Sequence, residues 1–280
     1  MNPELFITWN PDVVALDLGF FQVRWYSLCW CIGLVSVYLL VHHLYRQQKI
    51  SEEQFEPQFM YCFLGILIGA RLGHCLFYEP EYYLLNPLEM VLPAKYIAGV
   101  GWKFTGYEGL ASHGGTIGLM AALWLYARNQ KLNIMRVLDN VAIVTPLCAC
   151  AIRMGNLMNS EIIGRPTDVP WAFIFERVDM QPRHPGQLYE ALCYAAFFIF
   201  GWWLYRRLPH KVGTGFYFGY CITAIFSCRI FIELFKENQV SFENGMLLNM
   251  GQLLSIPFVL LGIYCLMGGK YCRMLGEKKD

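Results

Sequence analysis

Four arginines lie inside apolar stretches of this 280-residue chain, where a buried charge is costly unless it has a task. They are Arg24, Arg71, Arg153 and Arg229. A charged side chain at the centre of a membrane costs at least about 2.5–3.5 kcal/mol on insertion scales. Guanidinium groups bind oxyanions through parallel N–H donors, a geometry that lysine does not offer. The pattern therefore predicts that the chain holds an anion at membrane depth.

The densest polar chemistry lies between Arg153 and Arg165. Arg153 and Asn156 are three residues apart and share one face of a helix. Asn156, Asn159 and Glu161 are placed to orient that arginine or to hydrogen-bond a hydroxyl group of a ligand. Polar capping of a helix end is the alternative. Six polar side chains within 13 residues exceed what a cap requires, so we favour a binding site.

A histidine beside glycines begins another apolar stretch, over Ser112–Gly118. His113 is a residue type easily poised as a general base near neutral pH. Glycines let a ligand approach the backbone, and free N–H groups at a helix start favour an anion. The alternative is a hydrogen-bonded histidine whose neighbouring glycines serve helix packing. The residues alone leave both interpretations open.

Two further clusters have structural alternatives of similar weight. Arg229 and Glu233 are one helical turn apart, so they form either a structural ion pair or part of a site. His184 and Glu190 fall in the segment that begins at Pro182 and are candidates for a catalytic role. A rigid proline corner capped by polar groups is the favoured interpretation of this segment. No metal-ligand spacing or phosphate-binding loop is present in the sequence.

Membrane-spanning helices must position these residues. Hydrophobic residues make up 56% of the chain and charged residues 15%, against about 25% charged in a soluble domain. The apolar residues come in long blocks, which predicts an all-α, polytopic membrane protein of about seven transmembrane helices. The predicted spans are Phe20–Leu44, Phe59–Tyr78, Ser112–Tyr126, Val137–Met158, Leu188–Tyr205, Gly215–Phe235 and Leu253–Met267.

The Lys and Arg residues of the connections predict the orientation, because cytoplasmic loops carry the excess of positive charge. One side of the membrane receives twelve of them and the other six. The N-terminus is therefore predicted outside and the C-terminus in the cytoplasm, with the four arginines and His113 toward the outer face. Residues 1–280 are predicted to form a single integral membrane domain, with two long periplasmic loops at 79–111 and 159–187.

Taken together and in this order, the motifs resemble the prolipoprotein diacylglyceryl transferase family over nearly the whole chain. The Arg153 segment is the most specific of them. The segments that carry the resemblance are Arg24-Trp25-Tyr26, Gly69-Ala70-Arg71-Leu72-Gly73, His113-Gly114-Gly115, Arg153 to Gly164, Pro182 to Glu190, and Arg229 with Glu233.

The resemblance implies a seven-helix enzyme of the bacterial inner membrane that works at the periplasmic face. Such enzymes move a diacylglyceryl group from phosphatidylglycerol to the thiol of the lipobox cysteine in a prolipoprotein signal peptide, and they release glycerol phosphate. The implied partners are phosphatidylglycerol, the prolipoprotein and membrane lipids. No nucleic acid and no cofactor are implied.

Carried onto this sequence, the resemblance implies that Arg153 and Arg229 hold the lipid phosphate and that His113 is the candidate base for the thiol. The residues implied to bind substrate are Tyr26, Arg71, Asn156, Asn159, Glu161, Gly164 and Glu233. One departure concerns the residue four before Arg229, which is usually a tyrosine in the family and is Ile225 here. Tyr220, or a residue of another helix, is the candidate substitute.

Two other functions would also place arginines in a membrane. A transporter or flippase for an anionic lipid would continue its polar residues to the inner face, and the inner halves of these spans lack such residues. A non-catalytic scaffold that binds anionic lipid would tolerate loss of His113. Lipid transfer to a thiol remains the leading hypothesis.

Overall fold

A computed structural model of the chain describes residues 6–97, 99–106, 109–236 and 248–276. This part of the chain is mostly helical, with 67% of the described residues in helices. Each of the seven apolar stretches predicted from the sequence contains a helix. The helices are α1 (Trp25–Gln47), α2 (Glu52–Phe55), α3 (Pro57–Phe77), α4 (Pro80–Leu85), α5 (Pro87–Val91), α6 (Ser112–Asn129), α7 (Ile134–Asn159), α8 (Gly186–Arg207), α9 (Phe216–Ile232), α10 (Met250–Leu266) and α11 (Lys270–Gly276).

Within the described ranges, five helical stretches are long and apolar enough to cross a membrane. A span needs about 20 apolar residues because the hydrocarbon core is about 30 Å thick and a helix rises 1.5 Å per residue. The five stretches are Trp25–Gln47, Glu52–Phe77, Ile134–Asn159, Gly186–Arg207 and Phe216–Phe235. A shorter apolar helix follows at Gly251–Leu266. The predicted count of seven spans stays a prediction. Lys278 and Lys279, part of the predicted charge bias, lie outside the described residues.

Short strands occupy the connections, so the all-α prediction holds for the bulk of the chain and misses this part. Strands of two to four residues are too short to give a readable alternation in sequence. They are β1 (Ile7–Trp9), β2 (Val14–Asp17), β3 (Gln22–Arg24), β4 (Ala94–Ile97), β5 (Gly101–Phe104), β6 (Phe173–Phe175) and β7 (Pro182–Arg183). In one sheet β6 lies between β1, which is parallel to it, and β7, which is antiparallel to it.

The predicted start of the first span at Phe20 is wrong, because α1 begins at Trp25. The residues before it form the β2–β3 hairpin, whose turn is fixed by the Asp17 carboxylate. That carboxylate accepts hydrogen bonds from the Gly19 N–H at 2.8 Å and from the side chain of Gln22 at 3.0 Å. Arg24 is therefore the exposed last residue of a strand rather than a charge inside an apolar helix.

The chain divides into two compact units, and the first consists of Met1–Leu44 and Leu138–Asp280. Its hydrophobic core contains Leu157, Phe173 and Phe175, so the end of α7 packs on β6. Helices α9 and α10 approach closely at two glycines. A Cβ on Gly219 would lie 2.7 Å from the Gly262 carbonyl oxygen, which leaves no room for a side chain there.

The second unit is Tyr45–Val137, and its centre is the packing of α3 on α6. Glycines line both helices at four-residue spacing: Gly65, Gly69 and Gly73 on α3, and Gly114 and Gly118 on α6. A Cβ on Gly118 would fall on the Gly65 carbonyl, and one on Gly69 would fall on the Gly114 carbonyl. Small residues at this spacing let two membrane helices approach at backbone distance. Gly114 and Gly118 therefore serve helix packing, as the alternative interpretation of this motif predicted.

Candidate active site at the end of α7

A chain of hydrogen bonds joins the polar residues at the end of α7. The Arg153 Nη1 donates to Asn156 Oδ1 at 3.3 Å, and the Asn156 side-chain N–H donates to Glu161 Oε2 at 3.3 Å. Asn159 donates to the other oxygen, Glu161 Oε1, at 3.0 Å. Asn156 is only 4% exposed, and its buried side-chain amide orients Arg153 and Glu161 through these hydrogen bonds.

A tight turn after α7 brings Glu161 back onto the helix. The Glu161 N–H donates to the Asn156 carbonyl at 3.0 Å. Ser160 and Ile162 on either side of it have φ values of 55° and 57°, in the left-handed region. A β-branched residue such as isoleucine is rarely found there. Two such residues in one turn indicate that the position of Glu161 is held at the expense of local strain.

Glu190 on α8 is the buried anion beside Arg153. Its side chain is 0% exposed, and Oε2 lies 2.7 Å from Arg153 Nε. The hydrogen-bond angles of that contact are poor, so it is a Coulombic pair rather than an aligned hydrogen bond. Oε1 accepts a hydrogen bond from Lys236 Nζ at 3.1 Å. An unpaired carboxylate would be very unfavourable at this depth, and two cations offset that cost.

Glu233 pairs with Lys236 and not with Arg229, which corrects the ion pair considered from the sequence. Lys236 Nζ lies 3.3 Å from Glu233 Oε2, and the lysine is 3% exposed. The reason is local: α9 ends at Ile232, and a 3-10 turn over Glu233–Phe235 redirects the chain. Among the described residues Arg229 makes no ion pair. It lies, together with Arg153, within electrostatic range of the Tyr194 hydroxyl.

Gly164 lies where three chain segments meet. Its N–H donates to the His184 carbonyl at 2.9 Å, and it forms an isolated bridge with Lys236. A Cβ at this position would lie 2.5 Å from the His184 oxygen and 2.7 Å from the Phe235 oxygen. Only glycine fits. The backbone contact at Gly164 thereby fixes Lys236 relative to the turn after α7.

His184 and Tyr189 form a second polar pair at the start of α8. His184 Nδ1 and the Tyr189 hydroxyl are 3.0 Å apart, and the same hydroxyl accepts a hydrogen bond from Trp171 Nε1 at 2.8 Å. The Phe235 ring lies edge-on to the imidazole at 5.2 Å. Burial among these rings lowers the pKa of His184 from its ordinary value of 6.5. The neutral imidazole is therefore the favoured form here.

Tyr26 on α1 packs against the same end of α7. A Cβ on Gly155 would lie 3.0 Å from the Tyr26 ring, so this glycine admits the tyrosine beside Asn156. Of the ten predicted site residues, eight therefore belong to one connected neighbourhood in the first unit. They are Tyr26, Arg153, Asn156, Asn159, Glu161, Gly164, Arg229 and Glu233.

Arg71 and His113 belong to the second unit. Arg71 is 6% exposed and donates to the backbone carbonyls of Glu89 at 2.5 Å and Met90 at 3.2 Å. Its guanidinium also lies 4.8 Å from the centre of the Tyr83 ring. These contacts give Arg71 a structural role in holding the segment after α3. His113 is exposed in the first turn of α6. Roles for both residues in substrate binding or catalysis stay predictions.

The family model described as prolipoprotein diacylglyceryl transferase matches residues 13–268. The chain belongs to this family. A phosphatidylglycerol–prolipoprotein diacylglyceryl transferase of Bacteroides fragilis is 60% identical over 279 residues, which are 100% of this chain and 99% of that protein. Proteins of the same name from Tolumonas auensis and Porphyromonas gingivalis are 44% and 42% identical over 92% and 95% of this chain, and 96% of each relative is covered.

Three residues of this family member were not among the site residues predicted from its sequence: Glu190, Lys236 and Tyr194. The sequence could have indicated Glu190 as a site residue, because it is a lone carboxylate inside an apolar helix and intramembrane charges are usually functional. The named substitute for the tyrosine absent at Ile225 was Tyr220, and its hydroxyl donates to the Phe197 carbonyl at 2.9 Å. The Tyr194 hydroxyl, on α8, lies within electrostatic range of both Arg153 and Arg229.

Proposed function

We propose that this transferase moves the diacylglyceryl group of phosphatidylglycerol to the thiol of a prolipoprotein lipobox cysteine and releases glycerol phosphate. The observation that carries the proposal is that Arg153 and Arg229 both lie within electrostatic range of the Tyr194 hydroxyl, the first held by Glu190 and the second with no ion pair among the described residues. Family membership and the names of the relatives supply the reaction class.

The phosphodiester of the lipid fits this charge pattern. Arg153 has five N–H donors, of which Nε faces Glu190 and one Nη1 hydrogen faces Asn156. The Nη2 edge stays available for a phosphate oxygen. Arg229 supplies a second guanidinium. Glu190 and Glu233 pair with Arg153 and Lys236, whereas Arg229 makes no ion pair among the described residues, so its charge is available to a singly charged headgroup.

The proposed reaction is a displacement at one carbon of the diacylglyceryl group, the carbon that is bonded to the phosphate ester oxygen. A cysteine thiolate attacks that carbon, a C–S bond forms, and the C–O bond breaks with its electron pair going to the glycerol phosphate. Negative charge grows on the departing phosphate oxygen, and pre-placed guanidinium groups stabilise it. The thiol of a free cysteine has a pKa of about 8.5 and is mostly protonated at neutral pH, so its proton must go to a base. His113 is the proposed acceptor.

The membrane placement is part of the proposal. We propose seven spans in the bacterial inner membrane, with the N-terminus in the periplasm, the C-terminus in the cytoplasm and the Arg153 site toward the periplasmic side. The excess of Lys and Arg in the connections after α1, α6 and α8 and in the C-terminal tail supports this orientation. Phosphatidylglycerol would enter from the outer leaflet, and the signal peptide would present its cysteine at the same level.

The test is a transfer assay with the purified full-length protein. A peptide with a lipobox cysteine is incubated with phosphatidylglycerol in detergent, and the mass of the peptide and the release of glycerol phosphate are followed. The proposal expects one diacylglyceryl adduct per peptide and one glycerol phosphate per adduct. A matched peptide with serine in place of the cysteine should give neither product.

Two other outcomes would replace the proposal. Lipid that moves between leaflets of a proteoliposome without a covalent product would favour a flippase. Saturable binding of phosphatidylglycerol with neither movement nor product would favour a scaffold. Either result with folded protein would overturn the transferase assignment for this chain.

A further inference from the structure

Glu190 has two cations and no exposure to solvent. Its two oxygens face different partners: Oε2 faces Arg153 Nε at 2.7 Å, and Oε1 faces Lys236 Nζ at 3.1 Å. The Tyr194 hydroxyl lies 3.5 Å from Oε1. Because side chains fill every side of the carboxylate, it has no room to contact a lipid or a peptide. A role for Glu190 in the reaction must therefore act through one of its neighbours.

The neighbour with free donors is Arg153. A guanidinium on a flexible side chain loses rotamer freedom when it is fixed, and that loss opposes binding unless it occurs before the ligand arrives. Here two contacts fix it before a ligand arrives, Glu190 at Nε and Asn156 at Nη1. Two contacts on two different nitrogens restrict the position of the guanidinium. The Nη2 edge is thereby restricted in the directions in which it can present its hydrogens.

Lys236 limits how far Glu190 neutralises Arg153. The lysine is 3% exposed, and its backbone carbonyl accepts a hydrogen bond from Arg165 Nε at 2.8 Å. Its backbone also bridges Gly164. Lys236 therefore has little freedom to leave Glu190. With one carboxylate charge divided between two cations, part of the positive charge of Arg153 stays available to an incoming anion.

We propose that Glu190 is a positioning residue that aims the Arg153 guanidinium at the substrate phosphate, and that Lys236 holds Glu190 in place for this task. The inference rests on the proposed function for the identity of the anion. It assigns to Glu190 no contact with substrate and no proton transfer.

The test compares Glu190→Gln and Glu190→Asp with wild type in the full-length protein. Gln keeps the shape of the Glu190 side chain and removes its charge, whereas Asp keeps the charge and shortens the side chain by one methylene.

We expect both variants to fold and to lower kcat, with a loss of up to about 100-fold, because misplacing a catalytic group by 1 Å can cost that much. The KM for the lipobox peptide should stay within about twofold, because Glu190 does not face the peptide. Glu176→Gln, an exposed carboxylate bonded to Asn10, is the matched control and should keep wild-type kcat.

The coupling to Arg153 separates positioning from general stability. In an Arg153→Lys background, Glu190→Gln should cause no further loss of kcat or of phosphatidylglycerol affinity, because its only route of action is already gone. If the loss of kcat in the double variant equals the product of the two single-variant losses, Glu190 acts independently of Arg153. Wild-type kcat in folded Glu190→Gln would overturn the inference while leaving the proposed function intact. Failure of both variants to fold would also overturn it, since Glu190 would then be a structural residue. No product from wild type would instead overturn the proposed function.

Discussion

Arg153 and Arg229 come from different helices, α7 and α9, and both lie within electrostatic range of the Tyr194 hydroxyl. Their surroundings differ. Arg153 is held by Glu190 and Asn156, whereas Arg229 has no ion pair among the residues that the structure describes. One guanidinium is thus held by neighbouring side chains, and we propose that the other binds the ligand. This asymmetry suits a site that receives one phosphodiester and then stabilises a second charge on the departing phosphate.

The first prediction concerns the guanidinium fork of Arg153. Replacing Arg153 with Lys keeps the charge but leaves one nitrogen where the guanidinium has three, so the contacts with Glu190, Asn156 and the phosphate cannot all be kept. We expect kcat for transfer to fall by about 10²–10³, the range found when one donor to a developing anion is removed. The folded yield and the melting temperature in detergent should stay near those of wild type.

The matched control for that change is Arg207→Lys at the end of α8. Arg207 is exposed and stacks on Trp203 at 5.7 Å. Activity should be unaffected there. Wild-type turnover in Arg153→Lys would remove the proposed phosphate role of this residue.

The second prediction compares two glycines of the site. A Cβ at Gly164 would lie 2.5 Å from the His184 oxygen, whereas a Cβ at Gly186 finds its nearest atoms at 3.7 Å, an ordinary contact. We therefore expect Gly164→Ala to lower activity strongly, because the backbone at Phe235 and Lys236 must move. Gly186→Ala should keep near-wild-type activity. Equal activities in the transfer assay would contradict the packing described at Gly164.

The third prediction tests what the glycines after His113 do. A Cβ on Gly118 falls on the Gly65 carbonyl, and a Cβ on Gly115 lies 3.4 Å from Ala70 Cβ, which is tolerable. Gly118→Ala should destabilise the α3–α6 pair by about 1–3 kcal/mol, the usual cost of overpacking. Gly115→Ala should cost much less. Thermal unfolding in detergent measures both. A larger loss at Gly115 would show that these helices pack differently.

The fourth prediction concerns pH and His184. Burial lowers the pKa of His184 in the folded protein, so the unfolded chain binds the proton more tightly. Stability linked to this residue is therefore fully present above pH 6.5 and is lost as the pH falls through the lowered pKa. The wild-type melting temperature should drop below about pH 6.5 more steeply than that of His184→Gln. Parallel curves for the two proteins would show that the imidazole does not titrate with folding.

The fifth prediction separates two roles of Arg71. The structure has its guanidinium bonded to the carbonyls of Glu89 and Met90. If it holds this segment, Arg71→Gln should increase chymotrypsin cleavage between Tyr82 and Trp102, which are 40% and 49% exposed. Arg128→Gln, at an exposed arginine near Trp124, is the control. A substrate-binding role alone would lower affinity for phosphatidylglycerol and leave the cleavage pattern unchanged.

The helical part of the fold was predictable because long apolar blocks are a strong signal, and a helix lies within each predicted stretch. The β2–β3 hairpin was not, because its turn depends on the Asp17 carboxylate and gives no periodic pattern. The network of Arg153, Asn156 and Glu161 was predictable because these residues are close in sequence. The pairing of Glu190 with Lys236 spans 46 residues, and a spacing of that length carries no information about distance.

The most direct test of the central claim is a structure of the full-length protein with phosphatidylglycerol bound. The account predicts that the lipid phosphate contacts the guanidinium groups of Arg153 and Arg229, with Glu190 still against Arg153 Nε. A phosphate bound elsewhere, with either arginine turned away from it, would contradict the claim.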